Sequence, residues 1–339
     1  MSSSHPLLYA LPLSLLLSSC SLDSVKPDIS TSDSVAITSP IATASTKQIL
    51  STLAADDMQG RQDGTVGGQK AAQYIEREFA AAGLSKWGGL SSYQQAYEIE
   101  GPEGPIAISN VIGFIAGKSR PDELVIFSAH YDHLGVEDSA EGKQGDRNKN
   151  KDKIYNSAND DASGVTALIQ LAKYYQQRND NERSIVFVAF SGEEAGGFGS
   201  QAFASSIDPD QVVAMFNIEM IGTPSKWGND SAYITGFDKS DFGAILQKNL
   251  QGSNFKFHPD PYLDKDLFYR SDNATLAAQG VPAHTISTSK MDNEPYYHTV
   301  DDEIATLDIA NMTAIIKAIA LSATSIVNGD STPTRIAKQ

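Results

Sequence analysis

The sequence contains almost no cysteine, because Cys20 is the single one among 339 residues. One thiol cannot form an intramolecular disulfide framework, and it cannot supply the paired cysteines of a Cys-x-x-Cys zinc site. Any metal ion must therefore be held by imidazole and carboxylate groups. The chain has six histidines and 42 Asp and Glu residues that can provide such ligands.

Basic residues are also scarce, with 26 Lys and Arg against 42 Asp and Glu and a net charge of −16. Nucleic-acid binding depends on Lys and Arg that neutralise phosphates, so this balance argues against a nucleic-acid partner. A hydrophobic fraction of 40% is ordinary for a globular protein and argues against wholesale disorder.

The apolar run Leu7–Leu17 is too short to span a bilayer and suits the apolar part of a signal peptide. It leads into Ser18-Ser19-Cys20, and small residues directly before a cysteine resemble the lipobox of bacterial lipoproteins, in which that cysteine is lipidated. We therefore predict a lipoprotein signal peptide over residues 1–19. The protein would then be anchored in the bacterial cell envelope, facing the periplasm or the cell surface. The alternative is an ordinary secretory signal with an incidental cysteine.

Composition divides the rest of the chain. Residues 20–46 are rich in Ser, Thr, Asp and Pro, which predicts a flexible tether. The folded body is predicted over 47–330, with a tail at 331–339. The charged stretch 137–153 has no apolar period and predicts an inserted surface loop or hairpin. Because no compositional break divides the body, we expect one domain.

Short apolar runs alternate with helical patterns along the body. Buried strands are predicted at Leu124–Ala129, Ile185–Phe190, Val212–Glu219 and Pro282–Ser287. Helices are predicted at Gly68–Ala82, Gly164–Gln177, Gly197–Ser206, Asp241–Leu250 and Thr306–Val327. This alternation predicts an α/β fold, a three-layer domain whose mostly parallel central sheet carries helices on both faces.

Metal-capable side chains recur where the predicted strands end, and ligands bind beyond the carboxyl ends of strands in open α/β sheets. The segments concerned are His130–His133, Asn159–Gly164, Ser191–Glu194, Asn217–Met220 and Tyr296–Thr299. Hydrolysis by two metal ions requires these residue types. Two cations about 3.5–4 Å apart can hold the attacking and departing oxygens and lower the pKa of water towards about 7. Such a site needs a bridging carboxylate, further ligands on each side and a free carboxylate that takes a proton.

The motifs HYDHLG, NDDASG, SGEEAG, NIEMIG and YYHTVDD resemble, in the same order, those of the co-catalytic di-zinc aminopeptidases. That family includes bacterial leucyl aminopeptidases and aminopeptidases of the S and Y types, and it is related to glutamate carboxypeptidase and the glutaminyl cyclases. The motifs span residues 130–302, and an upstream segment beginning LAADDMQGRQDG is also similar to the family. The resemblance implies the zinc-peptidase (phosphorylase/hydrolase-like) fold and a hydrolase that acts on peptides with a free N-terminus.

The resemblance implies a ligand set for two zinc ions per chain. His130 and Glu219 would bind one ion, Glu194 and His298 would bind the other, and Asp160 would bridge both. The family most often has Asp where this chain has Glu219, which offers the same carboxylate on a longer arm.

The resemblance also implies three catalytic roles. Glu193 would be the general base that takes a proton from water and passes it to the leaving amine. Asp132 would orient the imidazole of His130, and Tyr297 would donate a hydrogen bond to the developing oxyanion. Ordinary packing is an equal alternative for Tyr297.

Several similar residues receive no site role. His133, His258 and His284 are typical of loop or core histidines, and we exclude them as ligands. Asn273 stands where the family often has His in a Ser-Asp-His triplet, and it too receives no metal role.

Two other functions remain as alternatives. A glutaminyl cyclase shares the fold but uses a single zinc ion and no water nucleophile. A catalytically inactive binding protein would need no catalytic set. The intact NDDASG and His-x-Asp motifs favour the peptidase over the cyclase, and the retention of Glu193 with all five ligands argues against an inactive protein.

Overall fold

A computed structural model describes residues 41–101, 104–137 and 152–339. The predicted signal peptide, the lipidated Cys20, most of the predicted tether and residues 138–151 of the predicted insertion lie outside these residues.

The described chain alternates strands with helices. The strands are β1 (Ser85–Lys86), β2 (Gln94–Gly101), β3 (Gly104–Ile115), β4 (Arg120–His130), β5 (Arg183–Phe190), β6 (Val212–Ile218), β7 (Ser231–Ile234), β8 (Lys256–Pro259) and β9 (Ala283–Ser287). The α-helices are α1 (Thr43–Leu53), α2 (Val66–Ala82), α3 (Ala162–Arg178), α4 (Phe198–Ala204), α5 (Phe242–Asn249), α6 (Asn273–Ala278), α7 (Ile309–Ser322) and α8 (Thr324–Val327).

All of these strands join one sheet in the order β1-β3-β5-β4-β6-β9-β7-β8, with β2 also paired to β3. The central strands β5, β4, β6 and β9 are parallel to one another, and β7 is parallel to β8. Strand β3 is antiparallel to its neighbours, and β7 is antiparallel to β9. The prediction of an α/β domain with a mostly parallel central sheet is therefore confirmed, with antiparallel strands added on both sides.

Helices cover both faces of this sheet. Along β4, Val125 and Phe127 enter one hydrophobic core with α1, α2, α3, α5 and α7, whereas Leu124 and Ile126 enter a second core with α4 and α6. Phe127 stacks on Phe187 and Phe216 of the adjacent strands, with ring centroids 5.7 and 4.7 Å apart. Burial of one such ring contributes about 1.5–3 kcal/mol, so this row holds the parallel strands in register.

The ordered fold extends beyond the predicted body at both ends. Helix α1 begins at Thr43, inside the predicted tether, because Ile41, Ile49 and Leu50 bury one side of this region in the core. In the predicted tail, Ile336 is buried and its amide donates to the carbonyl of Gly280 at 3.0 Å.

One helical stretch in the described chain, Ile309–Val327, is long and apolar enough to cross a membrane by length and composition alone. However, 61% of its apolar window is buried inside the fold. Core helices of globular proteins pass the same test, and α7 packs in the same core as α1 and α3.

Candidate metal centre

The sequence-predicted site residues lie at one edge of the sheet. His130 is the last residue of β4, Glu193 and Glu194 follow β5, and Glu219 follows β6. Asp160 precedes α3, and Tyr297 and His298 lie between β9 and α7. One cleft of about 230 Å³ is lined by Asp160, Glu193, Glu194, Glu219 and Tyr297. The turns after the predicted strands thus bring these side chains to one cleft.

Asp160 lies between two imidazoles. Its Oδ1 is 3.2 Å from Nε2 of His130, and its Oδ2 is 3.3 Å from Nε2 of His298. Glu194 joins the second side, where its Oε1 is 3.2 Å from Nε2 of His298. A carboxylate whose two oxygens face different histidines has the arrangement that a bridging ligand requires.

Glu219 has a buried carboxylate oxygen, Oε2, that makes no hydrogen bond in the described part of the chain. Burial raises the pKa of this carboxyl, and the neighbouring His130 opposes the shift. A buried, unpartnered oxygen is costly unless a cation or a proton compensates it. Glu219 also lines the cleft beside Asp160, Glu193 and Glu194.

Asp132 connects the loop after β4 with the turn after β5. Nδ1 of His130 faces both the main-chain oxygen of Asp132, at 3.1 Å, and its carboxylate oxygen Oδ1, at 3.7 Å. The carboxylate also accepts hydrogen bonds from the amides of Glu193 and Glu194, each at 3.2 Å. Asp132 therefore holds the Glu193-Glu194 turn as well as the imidazole, a second task that the sequence does not reveal.

His133 lies in the same cluster, although the sequence argument excluded it. Its Nδ1 is 2.7 Å from Oε1 of Glu194 and 3.9 Å from Oδ2 of Asp160. One ligand atom each from His133, Asp160, Glu194 and His298 can be chosen so that all lie within 4.8 Å of one another. In the sequence His133 is marked only by its position three residues after His130. The path of the chain after β4 is what brings its side chain to Glu194 and Asp160.

The cluster fits a bound cation. Nδ1 of His133 and Nε2 of His298 both lie close to Oε1 of Glu194, at 2.7 and 3.2 Å. Ligand atoms gathered in this way from separate loops are expected around a metal ion. Imidazole and carboxylate are ligands that zinc accepts in proteins.

The charges in the cluster favour ionised ligands. Burial opposes ionisation of Glu194, but the imidazoles of His133 and His298 outweigh it and lower the pKa of this carboxyl to about 2. The same competition, with His130 and His298 as the main partners, lowers the pKa of Asp160 below its usual range. Glu193 behaves differently, because burial and nearby acids raise its pKa well above its usual value.

Arg61 holds the loops that carry this cluster. The guanidinium is fully buried and donates to the carbonyls of Leu53 at 3.0 Å, Tyr131 at 2.9 Å, Asn156 at 2.6 Å and Ser157 at 3.0 Å. It thereby joins the loop after β4 to the loop before α3. Arg61 is not among the site residues predicted from the sequence, although it lies in the QGR stretch of the upstream segment that resembles the family.

Two further acids position Asp160 and Glu219. Asp302 accepts hydrogen bonds from the amides of Asn159 and Asp160 at 2.9 and 3.0 Å. Asp161 caps α3 through the amide of Gly164 and also accepts from the amide of Met220, directly after Glu219. These contacts fix two ligand loops against each other.

The remaining candidates have other surroundings. Tyr297 is half-buried, lines the cleft and stacks on His298 with ring centroids 3.9 Å apart. His258 stacks on Trp227, and Nδ1 of His284 faces the carbonyl of Thr235 in the core. The amide group of Asn273 bonds the carbonyl of Phe268, which is a packing role.

An α/β sheet with a cluster of histidines and carboxylates at its strand ends is typical of metal-dependent hydrolases. Residues 110–323, more than half of the chain, match the family described as Peptidase family M28. The chain belongs to this family, which confirms the predicted class of enzyme.

Curated relatives are similar over part of their length. A probable leucine aminopeptidase of Trichophyton verrucosum is 26% identical over 228 residues, which cover 64% of this chain and 57% of that protein. A probable zinc metalloprotease of Pyricularia oryzae is 35% identical over 107 residues, which cover 30% of this chain and 18% of that protein. The chain thus spans little more than half of the first relative and a smaller share of the second.

Solved structures share the fold. A zinc aminopeptidase from Bacillus subtilis superposes with a TM-score of 0.64 at 14% identity, covering 87% of this chain and 97% of that one. The glutaminyl cyclase of Porphyromonas gingivalis superposes with a TM-score of 0.65 at 18% identity, covering 84% of this chain and 99% of that one. Because aminopeptidases and a cyclase both have this fold, the fold does not choose between the two reactions.

Proposed function

We propose that the chain is a zinc-dependent aminopeptidase with two metal positions that share Asp160. The observation that carries the proposal is the division of that carboxylate between His130 at 3.2 Å and His298 at 3.3 Å. His130 and Glu219 would hold one zinc ion, and Glu194 and His298 would hold the other. Two zinc ions, when bound, would polarise the peptide carbonyl and lower the pKa of a water molecule towards about 7.

Glu193 serves as the general base in this proposal. Its carboxyl lines the cleft beside Asp160 and Glu194, and its main chain is fixed by the hydrogen bond to Asp132. A base is most effective when its pKa lies near the working pH, and burial moves the pKa of Glu193 upward in that direction. Glu193 takes the proton of the attacking water and delivers it to the nitrogen of the departing amine.

The choice of peptides with a free N-terminus rests on the similarity to aminopeptidases. Carboxylates of Asp160, Glu193, Glu194 and Glu219 line the same space, but two bound zinc ions would offset their four negative charges, so the net charge of the cleft does not select the amine. Acetylation removes the charge of the α-amino group and therefore tests this choice directly. Tyr297 lines this cleft too and would donate a hydrogen bond to the developing oxyanion.

We predict that the protein hydrolyses aminoacyl-coumarin substrates, and that chelation of its metal abolishes this activity. A panel of such substrates, each matched with an N-acetylated form, checks both points, and added zinc should restore the lost activity. N-acetylation should remove hydrolysis, because it removes the free N-terminus that the proposed function requires. Hydrolysis of the acetylated substrates alone would contradict the aminopeptidase proposal.

The two alternatives give different results in the same laboratory experiments. A glutaminyl cyclase would bind one zinc ion per chain and convert substrates with an N-terminal glutamine without hydrolysing the others. An inactive binding protein would bind metal but turn over none of the panel. Metal analysis that finds about two zinc ions per chain supports the peptidase, since each proposed position takes one ion.

We further propose that Cys20 is lipidated and anchors the protein in the bacterial cell envelope, as the lipobox-like residues before it suggest. Cys20→Ser is expected to move the protein from the membrane fraction to the soluble fraction, because serine has no thiol to accept the lipid. Fractionation of cells that produce either form measures this, with Ser19→Ala as the control that keeps the cysteine. Continued membrane association of Cys20→Ser would refute lipidation.

A further inference from the structure

The two carboxylate oxygens of Asp160 face different numbers of side chains that can bind a metal ion. Beyond Oδ1 lies His130, with Glu219 lining the same cleft. Beyond Oδ2 lie His133, Glu194 and His298, whose ligand atoms converge with that oxygen within 4.8 Å. The Oδ2 side thus gathers four ligand atoms, whereas on the Oδ1 side only His130 is close to Asp160 and Glu219 is a wall of the cleft.

His133 is buried beside two carboxylates of the cluster, those of Glu194 and Asp160. Its side chain is only 1% exposed, and neither ring nitrogen makes a hydrogen bond in the described part of the chain. A buried polar group without a partner costs about 1–3 kcal/mol, so such groups are rare unless something compensates them. The ring of His133 packs against that of His298 within the cluster, at a centroid distance of 5.3 Å, and against that of Tyr155 outside it, at 6.4 Å.

Coordination by Nδ1 of His133 would compensate one of the two buried ring nitrogens. That atom lies 2.7 Å from Oε1 of Glu194 and 3.9 Å from Oδ2 of Asp160. We infer that His133 is a further protein ligand on the Oδ2 side of Asp160, beside Glu194 and His298. This inference rests on the metal centre in the proposed function.

The consequence is that the two metal positions are not equivalent. An ion on the side with His133 would have more protein ligands than an ion beside His130, and zinc can become five-coordinate, which leaves room for a water molecule. The side with His133 therefore takes up zinc first and loses it last when a chelator is added. The side with His130 binds its ion more weakly.

The first test uses the unaltered protein. The metal is removed by dialysis against a chelator, one equivalent of Zn²⁺ is returned, and X-ray absorption counts the imidazoles around it. Two imidazoles, those of His133 and His298, are expected. One imidazole would overturn the inference, since the Oδ2 side without His133 offers only His298.

The second test compares His133→Phe with His258→Phe. Phenylalanine keeps the aromatic packing but removes the ligand, and His258 stacks on Trp227 outside the cluster. Competition with a chromogenic chelator should show that His133→Phe weakens the tighter zinc site by more than the roughly 10–100-fold lost when a hydrogen-bond partner of a ligand is removed. His258→Phe should keep both affinities. Wild-type affinity at both sites in His133→Phe would contradict the inference.

These readouts separate the inference from the proposed function. Both tests measure bound zinc in the absence of substrate, so a wild-type protein that hydrolyses no substrate would refute the function and leave the ligand result standing. Conversely, an active wild-type protein whose His133→Phe form binds zinc normally would refute only the role of His133. A thermal melt of both variants in chelator shows that they are folded.

Discussion

Glu193→Gln is expected to lower kcat by about 10²–10⁴-fold, the usual contribution of a general base, while bound zinc stays at the wild-type level. Glutamine has nearly the same size, and the main-chain hydrogen bond from residue 193 to Asp132 does not depend on the side chain. The amide simply cannot accept the proton of the attacking water. Steady-state kinetics on the best coumarin substrate, with metal analysis of the same sample, measures both quantities.

The neighbouring Glu194→Gln is the matched comparison. Oε1 of Glu194 is 3.2 Å from Nε2 of His298, inside the group of converging ligand atoms, so this variant should lose zinc together with activity. The pair differs by one position in the chain and makes the same chemical change. Full activity in Glu193→Gln would refute its assignment as the base, and equal loss of zinc from both variants would assign Glu193 a ligand role instead.

The strands and the ligand positions are predictable because both follow simple rules. Runs such as Leu124–Ala129 and Ile185–Phe190 are apolar throughout, which is typical of strands buried on both faces, and the polar residue after each run must then lie at the sheet edge. The antiparallel strands β2 and β3 are harder to recognise. Residues of β2 are mostly exposed or half-buried, so their pattern contains little apolar periodicity.

The site residues that were not predicted from the sequence are brought to the cluster by the path of the backbone. His133 joins the cluster because the chain turns after β4, where its amide donates to the carbonyl of Arg61. Asp302 acts on the main chain of Asn159 and Asp160, more than 140 positions away in sequence. Neither contact can be recognised from a local sequence pattern, because each depends on which loops meet in the folded protein.

Arg61 is the residue on which most of these loops depend. Burial lowers its pKa, while the carboxylates of Asp302 and Asp160 oppose the shift, so the charge is compensated inside the fold. Its guanidinium donates to main-chain oxygens of Leu53, Tyr131, Asn156 and Ser157. A planar group with five donors can serve several carbonyls in different directions at once, whereas lysine has three donors on one nitrogen and an apolar side chain has none.

Arg61→Met is therefore expected to lower the free energy of unfolding by at least about 3 kcal/mol, because each buried carbonyl left without a donor costs about 1–3 kcal/mol. It should also weaken zinc binding, since Tyr131 lies between His130 and Asp132 and Ser157 lies in the loop before Asp160. Denaturant unfolding and chelator competition measure the two effects. If the methionine variant does not fold, Arg61→Lys keeps the charge with fewer donors and should show the same effects in weaker form.

Arg183→Met is the control that tests whether a loss of stability alone weakens zinc binding. Arg183 is also buried, and it donates to the carbonyls of Ile326 and Ser331 and pairs with Glu123, all outside the cluster. Its replacement should cost stability of similar size but leave the zinc affinity of the folded protein unchanged. If Arg61→Met and Arg183→Met destabilise equally and both keep wild-type zinc affinity, then Arg61 supports the fold but does not position the metal ligands. Weakened zinc binding in Arg61→Met alone would show that this arginine couples folding to the geometry of the site.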